Sequence, residues 1–237
     1  MTAKPKHAAT VILVRPRPDE GFEVFMTRRP EGMQFLGGAY VFPGGSVRDQ
    51  DCSEASLKRC YGLSRQEAQR ILRTHLSPEL SLAHWVAGIR ELFEEAGVLL
   101  CVTEAGETID IKQRGLPERC AGKRQRLIEG SLDFLTLLES EGLFCDAARL
   151  SYFSHWLTPE EFSTRFDTRF YLAVLPSGQH PLATSEEVAH SLWISPEEAL
   201  RGCDAGTLPM IFPTFSALRT LADFDSLERL FEEYRTG

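Results

Sequence analysis

The chain has 237 residues, 43% of them hydrophobic and 25% charged, with a net charge of −8. These are globular values at a length that suits one large domain with a full core. The negative balance argues against a general nucleic-acid binder, while an anionic small molecule still fits a cleft where local arginines or a metal reverse the field. Cys52, Cys60, Cys101, Cys120, Cys145 and Cys203 are scattered, with no CxxC pair and no Cys/His metal spacing. No apolar run suits a signal peptide or a bilayer span, so a reduced, cytoplasmic chain without a membrane partner is expected.

In chain order, Ala8–Arg15 reads as a buried strand, Pro16–Gly21 as a turn and Phe22–Thr27 as the returning strand. Gly37 and Gly38 break the chain before a short strand, Ala39–Phe42, which ends at Pro43. A helix is predicted over 53–76 on Leu57, Tyr61, Leu63, Ala68, Ile71 and Leu72. A second helix covers 81–96, and Val98–Val102 reads as a strand. Lys123–Glu141 is predicted helical, with Leu127, Ile128, Leu132, Leu135 and Leu138 as its apolar stripe. Arg149–Leu157 and Arg169–Leu175 read as strands, and Trp193-Ile194 as a strand end. Ser195 then caps a helix with Pro196 at its first position, and Thr214–Tyr234 closes the chain as a helix. The expectation is a single α/β domain with helical insertions at about 52–80 and 104–148, free of repeats and low-complexity linkers.

The chemistry concentrates in Arg90-Glu91-Leu92-Phe93-Glu94-Glu95-Ala96-Gly97-Val98. On a helix, Glu91 and Glu94 are spaced i,i+3 and Glu91 and Glu95 i,i+4, so three like charges crowd one face and repel. A hard divalent cation such as Mg2+ or Mn2+ reverses that repulsion, because it needs converging carboxylates. A solvated acidic face is the other reading of the same residues. Gly97 sits where a glycine C-cap or a close backbone approach is expected. Upstream, Arg28 and Arg29 leave a strand beside the glycine-rich turn. There they could grip a phosphorylated ligand with forked hydrogen bonds or form an exposed basic pair. Arg169 reads as a core-edge salt bridge or a ligand contact. The six histidines form no ligand or triad pattern, and neither a G-x-S-x-G nor a P-loop is present.

Arg90 to Val98 match, at every specified position, the second half of the signature G-x5-E-x7-R-E-U-x-E-E-x-G-U, where U is a bulky aliphatic residue. The run therefore resembles the Nudix family. Gly45 resembles the opening glycine. Five residues on, Asp51 stands where the family has Glu, and 38 residues separate Asp51 from Arg90 where the signature has seven. Residues 25–45 are similar to the extra motif of Nudix coenzyme A diphosphatases, L-L-T-x-R-[SA]-x3-R-x3-G-x3-F-P-G-G. Thr27, Arg29, Gly38 and Phe42 to Gly45 fall in register. Phe25 and Met26 replace the leucines, Pro30 the small residue and Gln34 the second Arg. The two insertions, with Trp156–Pro159, Phe166–Tyr171 and Leu208–Thr214, resemble the long-insertion branch of those enzymes.

The resemblance implies a mixed-sheet α/β/α sandwich and hydrolysis of a diphosphate bond in a nucleotide derivative. It implies Mg2+ or Mn2+ on Glu91, Glu94, Glu95 and the Gly45 carbonyl, with Asp51 at a further metal position. Arg90 would orient the carboxylates through an ion pair with Asp51 or a helix Glu. Glu187, six residues before Trp193, would help with metal or water, and Arg28, Arg29, Gly38 and Phe42 would face the substrate. That substrate would be coenzyme A or acyl-coenzyme A, cleaved to 3′,5′-ADP and (acyl-)4′-phosphopantetheine. Alternatives are ADP-ribose, NADH or another nucleotide sugar, and a ligand-sensing domain without catalysis. The apolar faces of the insertions could shape a cleft for the pantetheine or acyl arm or form a homodimer interface.

Overall fold

A computed structural model describes residues 3–18, 20–33, 36–109, 115–183 and 188–235; Gln34 and Glu187 lie outside them. Strand β1 (Lys6–Pro16) is buried on both faces, which is why it reads as an almost unbroken apolar run. It pairs antiparallel with β2 (Phe22–Arg28) and with β4 (Gly44–Ser46), and parallel with β9 (Phe166–Val174). Strand β3 (Tyr40–Val41) pairs with β2. With β8 (Ser151–Leu157) and β10 (His190–Ile194) at the edges, the order is β10-β2-β1-β9-β8. One parallel pair among antiparallel ones makes this the mixed sheet that the resemblance implies.

Each face of the sheet is covered by helices. Helix α3 (Pro78–Ala96) packs on Ala9, Val11, Leu13 and Tyr171. Helices α6 (Pro196–Asp204), α7 (Phe212–Leu221) and α8 (Leu227–Tyr234) cover Ile12, Val14, Phe170 and Leu172. Ser195 caps α6 as expected, accepting from the Glu198 N–H, while Glu198 reaches back to Ser195.

Between these layers the structure corrects several sequence boundaries. Helix α3 begins at Pro78, capped by Ser77, rather than at residue 81. The predicted helix over 53–76 is α1 (Glu54–Lys58), strand β5 (Cys60–Tyr61) and α2 (Arg65–Leu72). Ser64 and Glu67 form a capping box there, a local signal strong enough to restart a helix. The predicted helix over 123–141 is two, α4 (Leu116–Ile128) and α5 (Phe134–Glu141), the second begun by Asp133 accepting from Thr136 N–H. The closing helix likewise divides into α7 and α8, where Ser226 caps the new start. The strand read over 98–102 shrinks to β6 (Cys101–Val102). With β7 (Phe144–Asp146) and β5 it forms a small sheet that joins the two insertions.

The apolar stripes of the insertions pack onto α3. Leu57, Ala68, Leu72, Cys120, Leu127 and Leu137 share a core with the helix residues Leu82, Trp85, Ile89 and Phe93. Burying each leucine contributes about 1.5–3 kcal/mol. As a result α3 is buried from Ser81 to Ala96 without interruption, acidic residues included. Among the described residues, no helix is long and apolar enough to cross a membrane.

Candidate active site

Glu91, Glu94 and Glu95 are 6%, 7% and 6% exposed, so the acidic face of α3 is not a solvated one. An unpaired buried carboxylate costs several kcal/mol, so each must find partners. Arg90, itself 2% exposed, supplies most of them. Its Nε and Nη2 donate to the two oxygens of Asp51, both at 2.9 Å. Its Nη1 donates to Glu91 Oε1 at 2.6 Å and to Glu94 Oε1 at 3.3 Å, and Nη2 also reaches the Ser46 carbonyl at 2.9 Å. The ion pairs expected of Arg90, with Asp51 and with the helix glutamates, are thus all present in one fan.

Asp51 ends up here because the 3-10 turn Asp49–Cys52 lies against α3. It also accepts the Arg48 backbone N–H at 2.8 Å. Arg48, which the motif reading did not single out, holds both oxygens of Glu94 through Nη1 and Nη2 at 2.9 and 2.8 Å. Burial alone would lower the Arg90 pKa, but Asp51, Glu91 and Glu94 together hold it above its ordinary value. Burial pushes the Glu91 carboxyl up, with Glu94 adding to the rise and Arg90 opposing it.

The glycine pair after Pro43 sets how closely this face meets the sheet. The Gly44 N–H donates to Glu95 Oε2 at 3.2 Å. A Cβ on Gly45 would fall 2.5 Å from Glu91 Oε1, so any side chain there would displace the carboxylate. Gly97 ends α3 at φ 69°, in the left-handed conformation that favours glycine, with its N–H on the Phe93 carbonyl. The donor set is all oxygen and carries four carboxylates against two guanidiniums, which suits a hard divalent cation. In this arrangement, among the described residues, no three acidic, imidazole or thiol groups converge to hold an ion. At Glu94 the cause is visible, since Arg48 occupies both oxygens.

Glu91 and Glu95, with Gly44, Gly45 and Arg48, line a cleft of about 770 Å³. Strand register gives its direction. Ser46 pairs with Ala8, Ala8 with Thr168, and Thr168 with Trp156, a row that crosses β4, β1, β9 and β8. Three strand spacings put Trp156 about 14 Å from Ser46. One end is therefore charged, with Glu91, Glu95 and Arg48. The other is aromatic, with Trp156, Phe162 and Phe212, the last two exposed. Trp156 and Phe212 touch, their ring centroids 5.2 Å apart. Among the described residues, none from α1, α2, α4 or α5 lines the cleft, so the insertion helices do not shape it. The β8–β9 segment and residues 211–214 do.

Of the two arginines at the end of β2, only Arg29 faces the cleft, as alternation along a strand requires. Its Nε is buried and, among the described residues, without a partner. Arg28 turns the other way and braces the glycine loop, donating to the Gly38 carbonyl at 3.2 Å and to Glu31 at 2.9 Å. Gly38 sits in that loop at φ 78°, and Phe42 lines the cleft. Arg169 forms a core-edge salt bridge with Asp167 and is 4% exposed, so of its two readings the structural one holds.

Residues 66–221 match the family model of the NUDT19 Nudix domain. The chain belongs to the Nudix family of hydrolases. It is 30% identical over 265 residues to the acyl-coenzyme A diphosphatase NUDT19 of Gallus gallus, covering 95% of this chain and 70% of that protein. It is also 30% identical over 243 residues to the acyl-coenzyme A diphosphatase NUDT19 of Homo sapiens, covering 91% of this chain and 64% of that one. Its fold is similar to the crystal structure of a Nudix hydrolase from Alicyclobacillus acidocaldarius. The TM-score is 0.78 at 26% identity, over 98% of this chain and 97% of the other. The matched residues include the whole of Arg90–Val98, while Gly44–Asp51 precede them and are brought in by the fold. Nudix hydrolases generally use divalent metal ions.

Proposed function

We propose that this Nudix hydrolase cleaves the diphosphate bond of coenzyme A or an acyl-coenzyme A, releasing 3′,5′-ADP and (acyl-)4′-phosphopantetheine. The observation that carries the reading is the two-ended cleft. Buried carboxylates sit at one end, and an aromatic wall lies about 14 Å away. That is room for a diphosphate at the charged end with its sugar and base, or the start of a pantetheine arm, toward the other. Residues 25–45 and the named relatives support the same substrate class.

In this reading Glu91, Glu94, Glu95 and the Gly45 carbonyl hold Mg2+ or Mn2+. The cation would neutralise the diphosphate and make hydroxide available near neutral pH. The chain's own residues do the rest. Arg90 and Asp51 fix the glutamates in place. With both its oxygens committed to Arg90, Asp51 acts as a positioning residue rather than a ligand. Arg29 takes phosphate oxygens, its unpartnered Nε being a donor without an acceptor. Arg28 and Gly38 shape the loop that aims it. A carboxylate, either on α3 or Glu187, takes the proton of the attacking water.

The test is a hydrolysis panel with product identification, comparing coenzyme A, an acyl-coenzyme A, ADP-ribose and NADH with Mg2+ or Mn2+. Release of 3′,5′-ADP, selective for the coenzyme A species, is expected. AMP from ADP-ribose or NADH with coenzyme A untouched would move the substrate to a nucleotide sugar or dinucleotide. No turnover on any of the four would favour a ligand-sensing role.

A further inference from the structure

Two arginines neutralise the carboxylates of α3, and they are not equivalent. Arg90 is 2% exposed and tied to Asp51, Glu91, Glu94 and Ser46 at once, so it has nowhere else to go. The Arg48 side chain is 47% exposed and lines the cleft. Among the described residues its guanidinium bonds to Glu94 alone, with Glu91 Oε1 3.9 Å away. Its backbone is anchored separately, through the N–H on Asp51 Oδ2. The side chain can therefore leave Glu94 without disturbing the turn that carries Asp51.

Arg48 also covers carboxylate oxygens that a cation held by Glu94 would use. Glu94 Oε1 accepts from Arg48 and Arg90, and Glu94 Oε2 accepts from Arg48. A divalent ion shared between Glu94 and its neighbours would compete with the guanidinium for those oxygens, and the two positive groups would repel. A half-exposed arginine that gives up its carboxylate beside a diphosphate has a second acceptor of the same fork geometry within its sweep.

We propose that Arg48 is an exchangeable counter-ion. It neutralises Glu94 when no cation is bound, yields that carboxylate when a divalent cation binds, and transfers its guanidinium to the diphosphate in the cleft. The proposal rests on the diphosphatase reading for the identity of its second partner. Its first half, competition with a cation, does not need turnover.

The experiment therefore measures binding. Free Mn2+ is followed by electron paramagnetic resonance during titration of the wild-type protein, Arg48→Ala, Arg48→Gln and Arg48→Lys. The binding of α,β-methylene-ADP, a diphosphate that resists hydrolysis, is then measured calorimetrically at saturating Mn2+. Arg48→Ala and Arg48→Gln should bind Mn2+ more tightly, on the order of tenfold, because nothing competes for Glu94. They should bind the diphosphate more weakly by a similar factor. Arg48→Lys, which keeps the charge and loses the fork, should fall between on both counts. A residue that merely supported the fold would weaken both ligands or neither. Unchanged or weaker Mn2+ binding in Arg48→Ala and Arg48→Gln would overturn the exchange and leave the diphosphatase reading standing. Failure of Mn2+ to bind even the wild-type protein would overturn both.

Discussion

Replacing Arg90 with leucine removes the guanidinium that, among the described residues, alone touches Asp51, Glu91 and Glu94 together. Five hydrogen bonds go with it, to Asp51 twice, Glu91, Glu94 and the Ser46 carbonyl. Asp51, 3% exposed, is left with the Arg48 N–H, and Glu91 loses its closest cation. Breaking a buried pair from one side costs about 3–5 kcal/mol, since the abandoned charge stays in low dielectric. For a chain of this size each kcal/mol moves the midpoint by about 2–4 °C, so Arg90→Leu should melt roughly 6–20 °C below wild type. Thermal unfolding at pH 7, followed by circular dichroism, measures this. The companion Arg90→Leu/Asp51→Leu should melt higher than the single variant, because it no longer strands the Asp51 carboxylate, although Glu91 and Glu94 still lose Arg90. A loss below about 1 kcal/mol for Arg90→Leu, the level of a surface ion pair, would refute the view that Arg90 is the hub of this buried network.

Gly45→Ala should retain its fold and lose most activity, because its Cβ would sit 2.5 Å from Glu91 Oε1 and push that carboxylate off the strand; steady-state kinetics beside a melting curve separates the two effects. Arg29→Gln should raise KM about tenfold or more through the loss of a charged hydrogen bond to phosphate, whereas Arg28→Gln should act mainly on loop stability; KM and the midpoint of each variant decide it. His84, fully buried on α3 with Nδ1 on the Leu80 carbonyl, has its pKa lowered from 6.5 to about 4, mostly by burial. The unfolded chain takes up that proton first, so stability is intact above about pH 6.5 and is lost as pH falls toward 4, by roughly 2–3 kcal/mol at pH 4.5. His84→Leu should flatten that part of the stability–pH curve, and an unchanged slope in urea titrations from pH 4.5 to 7 would assign the loss to other groups.

The charged end of the site was legible because it is local. Arg90 to Val98 occupy consecutive turns of one helix and its cap, and spacing alone places their carboxylates on one face. Counting past five residues from Gly45 also reaches Asp51, the aspartate that Arg90 holds from across 38 intervening residues. Arg48 lay inside that counted stretch and gave no signal, because its importance depends on which way an irregular turn points it. The aromatic wall was harder still. Trp156, Phe162 and Phe212 come from two distant segments, and only the register that places Trp156 and the packing of Phe212 against it set them opposite the glutamates. The apolar stripes of the insertions suit cleft walls or a dimer face equally, but a stripe shows that a face is buried, not what buries it. Here α3 does. His7 and His155 both approach Asp167, at 3.5 and 2.6 Å, with the His84 ring beside His7. These residues come from four elements whose separations in sequence carry no pattern. Helix lengths failed where short polar residues, Ser64, Asp133 and Ser226, restarted the chain inside apolar periodicity that continued across the break.

The measurement that bears most directly on the centre itself is turnover of coenzyme A by Glu94→Gln as a function of Mg2+ concentration, with circular dichroism as the fold control. The substitution keeps the shape of the side chain and removes its charge. The wild-type protein should show Mg2+-dependent release of 3′,5′-ADP, and the variant should retain its fold while losing at least about a hundredfold in kcat at every Mg2+ concentration. A folded Glu94→Gln protein that turns over at the wild-type rate would place the reaction somewhere other than this face of α3.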